Sequence, residues 1–260
     1  MSTLAKTLAQ GLDGRVALVT GASSGLGRHF ARVLARHGAK VVIAARRLDR
    51  LVDLEQEIGA AGGTAAAVVM DVTDTASVAA AFDAAEQRFG PVEILVNNAG
   101  VPSYGWFTDI TDEHWRQVMD VNLDGVFRVS REGARRMKAA GNAGAIVMIA
   151  SILGLGVLKT LTPYAVTKAG VIQMTKAMAL ELARDRIRVN ALAPGYFSTE
   201  LNGDYLDSEP GLRLRARVPM QRFGTLDELD GPLLLLCSDA GSFMTGSVLT
   251  VDGGHAMAMG

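Results

Sequence analysis

Arg15-Val16-Ala17-Leu18-Val19-Thr20-Gly21-Ala22-Ser23-Ser24-Gly25-Leu26-Gly27 is the stretch that decides the fold. It opens as a short, apolar, β-prone run, Arg15–Thr20. A glycine-rich turn follows at once, and a helix-like pattern begins near residue 25. The spacing is GxxxGxG rather than GxGxxG, but the physical demands are shared. One Gly allows a tight turn, one lets backbone approach a pyrophosphate, and one lets helix pack on strand. Phosphates then meet a helix N-terminus, where free N–H groups and the helix dipole favour anions. Taken alone, the turn reads equally as an ordinary β-α connection. Its place after the first strand of a repeating pattern gives it weight.

Working outward, similar apolar runs recur at Lys40–Ala45, Ala66–Met70, Glu93–Asn97, Gly144–Ala150, Ile187–Leu192 and Ser247–Val251. Helix-like stretches lie between them near residues 25–38, 48–61, 75–89, 111–139, 162–184 and 225–237. The strands are continuously apolar rather than alternating, as in a parallel sheet covered on both faces. Repeated β-α units predict a doubly wound Rossmann-type α/β fold, with about seven parallel strands and helices on both faces. Ligands are expected beyond the carboxyl ends of the strands. No break in the pattern marks a second domain, so residues 1–260 are expected to form one dinucleotide-binding domain.

Composition narrows the function. The chain has 260 residues, of which 29 are Gly, against a usual share of roughly 7%. These glycines follow no collagen-like period. Lys and Arg total 26 and Asp and Glu 27, a net charge of -1, so no nucleic-acid partner is expected. Cys237 is the only cysteine, which excludes an internal disulfide and a cysteine-rich zinc site. His29, His37, His114 and His255 lack metal-ligand spacing, and no metal is expected. No apolar run reaches the roughly 18 residues of a membrane span. Residues 1–14 carry Lys6 but no apolar core or small-residue cleavage site. The expected setting is therefore cytoplasmic, with no membrane partner.

The second strand selects the nucleotide. An acid at its end would hold the ribose 2′-OH of NAD. Here the strand ends Ala44-Ala45-Arg46-Arg47, and Asp49 comes only later. Arg46 is suited to a charge-assisted fork on a 2′-phosphate, worth about 1.5–3 kcal/mol. NADP(H) is therefore expected, with NAD(H) as the alternative if both arginines are merely solvated.

Tyr164 and Lys168 stand four residues apart in a helical stretch and share a face. Thr162-Pro163 reads as an N-cap followed by Pro at the first helical position, and Ser151 lies just past the fifth strand. A carbonyl reductase needs an acid for the developing alkoxide. Lowering a phenol from about 10 to near 7 requires roughly 4 kcal/mol. One ammonium about 4 Å away at an effective dielectric of 20 supplies that much. Lys168 is thus expected to depress Tyr164, while Ser151 orients the same oxygen. On its own, Tyr-x-x-x-Lys is weak, because a buried Tyr and a solvated helix Lys give the same pattern.

The partners of that pair carry a resemblance. From about residue 12 to 254 the sequence resembles the short-chain dehydrogenase/reductase family, with its motifs in family order. The cofactor loop is Thr20–Gly27, including Ser23, Ser24 and Leu26. Asp71, followed by Val72, matches the acid that contacts adenine, and Asn97-Asn98-Ala99-Gly100 the motif after strand four. Asn122, Ser151, Tyr164 and Lys168 match the catalytic tetrad, with the family's thirteen-residue step from Ser to Tyr. Pro194-Gly195-Tyr196-Phe197-Ser198-Thr199 matches the segment over the nicotinamide, and Val251-Asp252-Gly253-Gly254 the C-terminal turn. Ala150 and Phe197 depart from residues common at their positions. The resemblance implies that Tyr164 is the general acid/base and that Lys168 lowers its pKa and holds the ribose. It also implies that Ser151 positions the substrate oxygen, that Asn122 holds a relay water, and that hydride leaves the pro-S face. A dimer or tetramer is implied as well.

The expected reaction is NADP(H)-dependent reduction of a carbonyl, or oxidation of a secondary alcohol. The substrate pocket is expected from Val101–Asp109, Ile152–Thr162 and a loop insertion at 196–222. Its apolar content points to a hydrophobic or cyclic ketone, and the resemblance to the family's 3-oxoacyl thioester reductases implies a 3-oxoacyl thioester. An NAD-linked alcohol, sugar or polyol dehydrogenase is the first alternative. A non-catalytic dinucleotide sensor is the second. The basic run Arg128, Arg131, Arg135, Arg136, Lys138 reads as a solvated or subunit-contact face more than a dock for an acidic carrier. Asp71 reads alternatively as a helix-start residue and Asn97-Asn98 as a structural turn. Cys237 reads as an inert core thiol, and the apolar tail 255–260 as a cap on a subunit contact or on the pocket.

Overall fold

The computed structural model describes residues 9–199, 206 and 208–259. Part of the leader reading, part of the 196–222 loop and Gly260 lie outside these residues. Seven strands form one parallel sheet: β1 (Val16–Thr20), β2 (Lys40–Ala45), β3 (Thr64–Val69), β4 (Ile94–Asn97), β5 (Gly144–Ile149), β6 (Ile187–Pro194) and β7 (Val248–Val251). The spatial order is β3-β2-β1-β4-β5-β6-β7. The helices include α1 (Gly25–Arg36), α2 (Leu48–Ala60), α3 (Thr75–Phe89), α4 (Asp112–Met119), α5 (Gly125–Ala140), α6 (Thr162–Leu182), α7 (Glu209–Ala216) and α8 (Asp230–Cys237). No described helix is long and apolar enough to cross a membrane.

The continuous apolar strands feed two cores at once. Ala17 and Val19 of β1 face a layer with Phe30, Leu34, Leu51 and Leu233, from α1, α2 and α8. Val16 and Leu18 face the opposite layer with Phe82, Val129, Met137 and Val171, from α3, α5 and α6. Residues alternate between faces along a strand, so a strand covered on both faces must be apolar throughout. The expectation fails at the two sheet edges. Most of β3 and all of β7 are only partly covered, and Val69 is half exposed.

Three further expectations need correction. The stretch 111–139 is not one helix. A π-helical turn at Asp120–Asp124 joins α4 to α5, and it carries Asn122. Helix α6 starts one residue earlier than the capping pattern suggests. Ala165 N–H donates to Leu161 O at 2.9 Å, making Leu161 the N-cap and leaving Pro163 in the first turn, where its missing N–H costs nothing. In the 225–237 stretch, only Asp230–Cys237 is α-helical; a tighter turn at Leu226–Leu229 precedes it, with a Thr225–Glu228 capping box.

The winding reverses between β1 and β4, opening a crevice at their carboxyl ends. A compact set of hydrogen bonds spans it. Thr20 Oγ1 accepts from Asn98 N–H and Ala99 N–H, each at 3.0 Å. Asn98 Nδ2 donates back to Thr20 O at 3.0 Å and to Gly21 O at 3.3 Å. Gly21, at φ +66°, needs to be glycine on both counts, because a Cβ there would stand 2.8 Å from Ala99 Cα. Thr20→Val would strand two backbone donors at a position 1% exposed. It should cost about 2 kcal/mol or more. Denaturant unfolding checks this, and a loss well under 1 kcal/mol would contradict the assignment.

Candidate active site

A cleft of about 570 Å³ runs along the carboxyl ends of the strands. It gathers nearly every residue singled out from the sequence. At one end are Gly21, Ser23, Ser24, Gly25, Leu26, Arg46, Asp71 and Val72. In the middle are Asn98, Ala99, Gly100, Ser151, Tyr164 and Lys168, and over them Pro194, Gly195, Phe197 and Thr199. Gly27 and Asn122 do not line it. Gly27 packs the turn on itself, since a Cβ there would meet Gly21 O and Asn98 Nδ2. Asn122 is fully buried. Its Oδ1 accepts from Val101 N–H at 2.8 Å, and its Nδ2 donates to Val101 O at 2.9 Å. Both amide atoms are thus committed to holding the loop after Gly100.

The nucleotide end is built for an anion. Ser24, the N-cap of α1, makes no side-chain cap bond, and the first turn carries no acid. The N-terminal donors and dipole of α1 therefore face the cleft without an internal anion. Arg47 donates to Ser23 Oγ at 3.0 Å and to Ser24 Oγ at 3.4 Å. It belongs to this end of the cleft and was missed from the sequence, where Arg46 alone was singled out. Asp71 is not a helix cap, because Asp74 caps α3. Instead Thr73 donates to Asp71 Oδ1 from both N–H and Oγ1, at 2.9 and 2.7 Å. Those bonds, with the nearby charges of Arg46 and Arg128, hold its carboxyl below the usual range.

At the other end, Tyr164 sits in the first turn of α6 with Lys168 one turn on. Lys168 is 4% exposed. Its Nζ donates to Ile149 O at 2.8 Å and stands over the Tyr164 ring, 5.5 Å from the centroid. A Cβ on Gly100 would lie 3.8 Å from that nitrogen. Ser151 turns the chain after β5, its Oγ accepting from Leu153 N–H at 3.1 Å. Burial pushes the Tyr164 phenol above its ordinary value, and the Ser151 hydroxyl pulls it down only in part. Burial also lowers Lys168, to about 8. Lys168 was expected to depress the phenol, with an oxidised nicotinamide ring helping, and burial works against that effect. The ammonium lies at the ring face rather than at the hydroxyl, and desolvation of the phenolate dominates.

The substrate side is narrower than the sequence implied. Val101–Tyr104, Ile152, Leu153, Leu161 and Tyr196 line it. Trp106 and Phe107 stand outside it, 60% and 72% exposed, and Leu155 and Val157 are likewise exposed. Ser103 Oγ is paired with His114 Nε2 at 2.9 Å, a contact between loop and α4 that no spacing rule reveals. The described tail packs behind this wall. Ala256 and Met259 join the cluster of Leu153, Leu161, Tyr164 and Tyr196, and the His255 ring lies 5.7 Å from that of Tyr196.

Other candidates fall away from the cleft. His29 Nε2 meets Asp230 Oδ1 at 2.6 Å with Asp227 nearby, which ties α1 to α8. The basic run on α5 is largely neutralised: Arg128 by Asp120, Arg136 by Asp83, Glu86 and Glu132, and Lys138 by Asp185. Cys237 is buried, with its thiol pushed up to about 12. One consequence of the Lys168 burial is measurable. Its charged form is disfavoured in the fold, so the penalty is full below pH 8 and fades as pH rises toward 10.5. Lys168→Met should be more stable than the native protein at pH 7, by up to about 3 kcal/mol. Denaturant unfolding at both pH values should show the gap narrowing by pH 10. A less stable variant at pH 7 would contradict it.

Known proteins resemble this chain in sequence and in overall fold. The family model described as enoyl-(acyl carrier protein) reductase matches residues 21–256. L-Rhamnose 1-dehydrogenase (NAD(P)(+)) of Azotobacter vinelandii is 40% identical over 245 residues, which is 92% of this chain and 96% of that protein. The 3-oxoacyl-(acyl-carrier-protein) reductase of Thermotoga maritima is 37% identical over 243 residues, covering 94% of this chain and 98% of that protein. A crystal structure of gluconate 5-dehydrogenase from Burkholderia cenocepacia, in complex with NADP and tartrate, matches with a TM-score of 0.91 and 41% identity. That match covers 96% of this chain and 99% of the other. The parallel seven-stranded sheet, the motifs brought together at its carboxyl edge and near-complete matches of this kind have one reading: the chain belongs to the short-chain dehydrogenase/reductase family.

Proposed function

We propose that the protein is an NADP(H)-dependent oxidoreductase that interconverts a ketone and a secondary alcohol. The observation that carries this is the meeting of Ser151, Tyr164 and Lys168 in one cleft with Arg46, Arg47 and the start of α1, whose first turn carries no acid. A bound nicotinamide supplies or accepts the hydride. Tyr164 Oη gives its proton to the substrate oxygen in reduction and takes it back in oxidation. Because burial keeps the phenol protonated, the resting site is already in the form that reduction needs. Ser151 orients the same oxygen. Lys168 provides the positive charge beneath the ring and a donor for the ribose. Asn122 acts at one remove, by fixing Val101 beside Gly100. Arg46 and Arg47 recognise a 2′-phosphate, and Asp71 the adenine side.

A sugar or polyol alcohol as substrate has support from the relatives, since L-rhamnose 1-dehydrogenase and gluconate 5-dehydrogenase are among them. A 3-oxoacyl thioester has support from the Thermotoga maritima reductase. The same reading takes residues 1–260 as one domain, with 196–222 as a substrate-binding loop insertion. It also places the protein in the cytoplasm as a homo-oligomer, in which a second copy would cover the exposed Leu180 and Phe243.

Tyr164→Phe should lower kcat at least about 100-fold while leaving NADPH binding near native. Steady-state rates beside a fluorescence titration of NADPH check this, and unchanged turnover would refute the assigned acid. Replacing Arg46 and Arg47 by Ala together should erode the preference for NADPH over NADH by roughly 10- to 100-fold. A native kcat/KM ratio for the two nucleotides near or below one would instead favour the NAD-linked reading.

A further inference from the structure

After β7 the chain turns back against the substrate side. Gly253 and Gly254, at φ +63° and +86°, lead into a 3-10 turn at His255–Ala258. Asp252 clamps that turn. Its Oδ1 accepts from Gly254 N–H at 2.9 Å, and its Oδ2 accepts from Ala256 N–H at 2.6 Å. The same residue abuts Gly195, where a Cβ would stand 2.7 Å from Asp252 Cβ. The segment after α7 closes on the turn: a Cβ on Gly253 would meet Val218 at 3.0 Å, and Met220 N–H donates to Gly253 O at 3.2 Å. The loop after Ser151 closes on it too, since a Cβ on Gly156 would meet Met259 Cε at 2.8 Å.

His255 is the buried residue of this turn. It is 1% exposed, and its Nδ1 is shut away without a hydrogen-bond partner. Buried polar atoms are nearly always paired, so the ring is kept here for its shape. It lies 5.7 Å from the Tyr196 ring at 40°, a tilted pairing in the favourable range for aromatic rings. Tyr196 also meets Phe223, at 6.2 Å. Burial holds the imidazole below its ordinary range; Asp252 opposes that and Arg217 adds to it. Tyr196 lines the cleft, and with Leu153, Leu161 and Tyr164 it belongs to the cluster that Ala256 and Met259 back. His255, Ala256 and Met259 do not line the cleft themselves, so they reach a substrate only through the residues in front. We propose that His255 is a positioning residue: it fixes the Tyr196 ring from behind, and so sets the substrate wall without bearing on the nucleotide end. A close-packed wall passes on small changes in volume, whereas Arg46 and the start of α1 lie at the other end of the cleft. This rests on the ketone–alcohol reading above and names a residue that shapes its substrate side.

The test compares the full chain as native, His255→Ala and His255→Phe. NADPH oxidation is followed on cyclohexanone, 2,3-butanedione, S-acetoacetyl-N-acetylcysteamine and fructose, and NADPH binding is read from nicotinamide fluorescence. On whichever is reduced fastest, His255→Ala should raise KM at least about tenfold, lower kcat less than about threefold and leave the NADPH Kd within about twofold. His255→Phe keeps a flat ring and discards the unpartnered nitrogen, so its KM should return to within about threefold of native. Amide hydrogen exchange gives a readout free of turnover. Gly154 N–H donates to Ser151 O, and Leu155 and Gly156 N–H to Ile152 O, each at 2.9 Å. These amides should exchange at least about fivefold faster in His255→Ala, at the native rate in His255→Phe, and Val16–Thr20 should be unchanged in both. A native KM in His255→Ala, a Phe variant as impaired as the Ala variant, an equal loss of NADPH binding, or unchanged exchange at residues 154–156 would each overturn the proposal. If the native protein reduces none of the four compounds, the ketone–alcohol reading is undermined, while the exchange comparison still decides the positioning role.

Discussion

The site depends first on the hydroxyl of Thr20. A doubly wound sheet must open where its winding reverses, because connections from β1 and β4 leave on opposite faces. That opening would be a loose seam without a cross-link. Thr20 Oγ1 takes two backbone donors from the β4 side, and Asn98 returns two bonds to the glycine turn. The turn that faces the phosphates and the loop that leads to Lys168 are thereby placed relative to each other. Asn122 continues the chain of contacts by holding Val101, one residue past Gly100.

Burial then sets the chemistry. Lys168 and Tyr164 are taken out of water together, and desolvation moves both toward their uncharged forms. The phenol becomes a poorer acid and the ammonium a better one, so a phenolate needs more positive charge than Lys168 provides from the ring face. An oxidised nicotinamide is such a charge. A site of this kind is costly to stability, because a buried cation bonded only to a carbonyl has few compensating partners. Stability given up in that way is commonly found at sites shaped for chemistry.

Much of this was legible in the sequence because parallel strands buried on both faces have no polar alternation to confuse them. Every strand boundary fell within two residues of the apolar runs. The two-residue shifts are at the start of β3, an edge strand where alanines and partial exposure blur the signal, and at the end of β6, which runs on through Ala193 and Pro194. The π-helical turn at Asp120–Asp124, which carries Asn122, was not legible, since a single turn of that kind has no distinctive residue signature. Helix α7 was missed because Glu209–Ala216 is short and carries Pro210. At the site, residue types and order found the cleft. They did not find Arg47 over Ser23, the Ser103–His114 pair or the exclusion of Trp106, which depend on where loops turn in space. The burial that opposes the phenol's ionisation was not legible either: spacing sets the helix face but not the distance or the solvent.

One measurement bears most directly on the central claim: NADPH oxidation by the purified protein across 3-oxoacyl thioesters, diketones, cyclic ketones and sugars, with the product alcohol identified. The account predicts that at least one neutral ketone is reduced with stoichiometric NADPH consumption, and that this is lost in Tyr164→Phe. Tight NADPH binding with no consumption on any member of the panel would contradict it, and would mark the cleft as a nucleotide sensor.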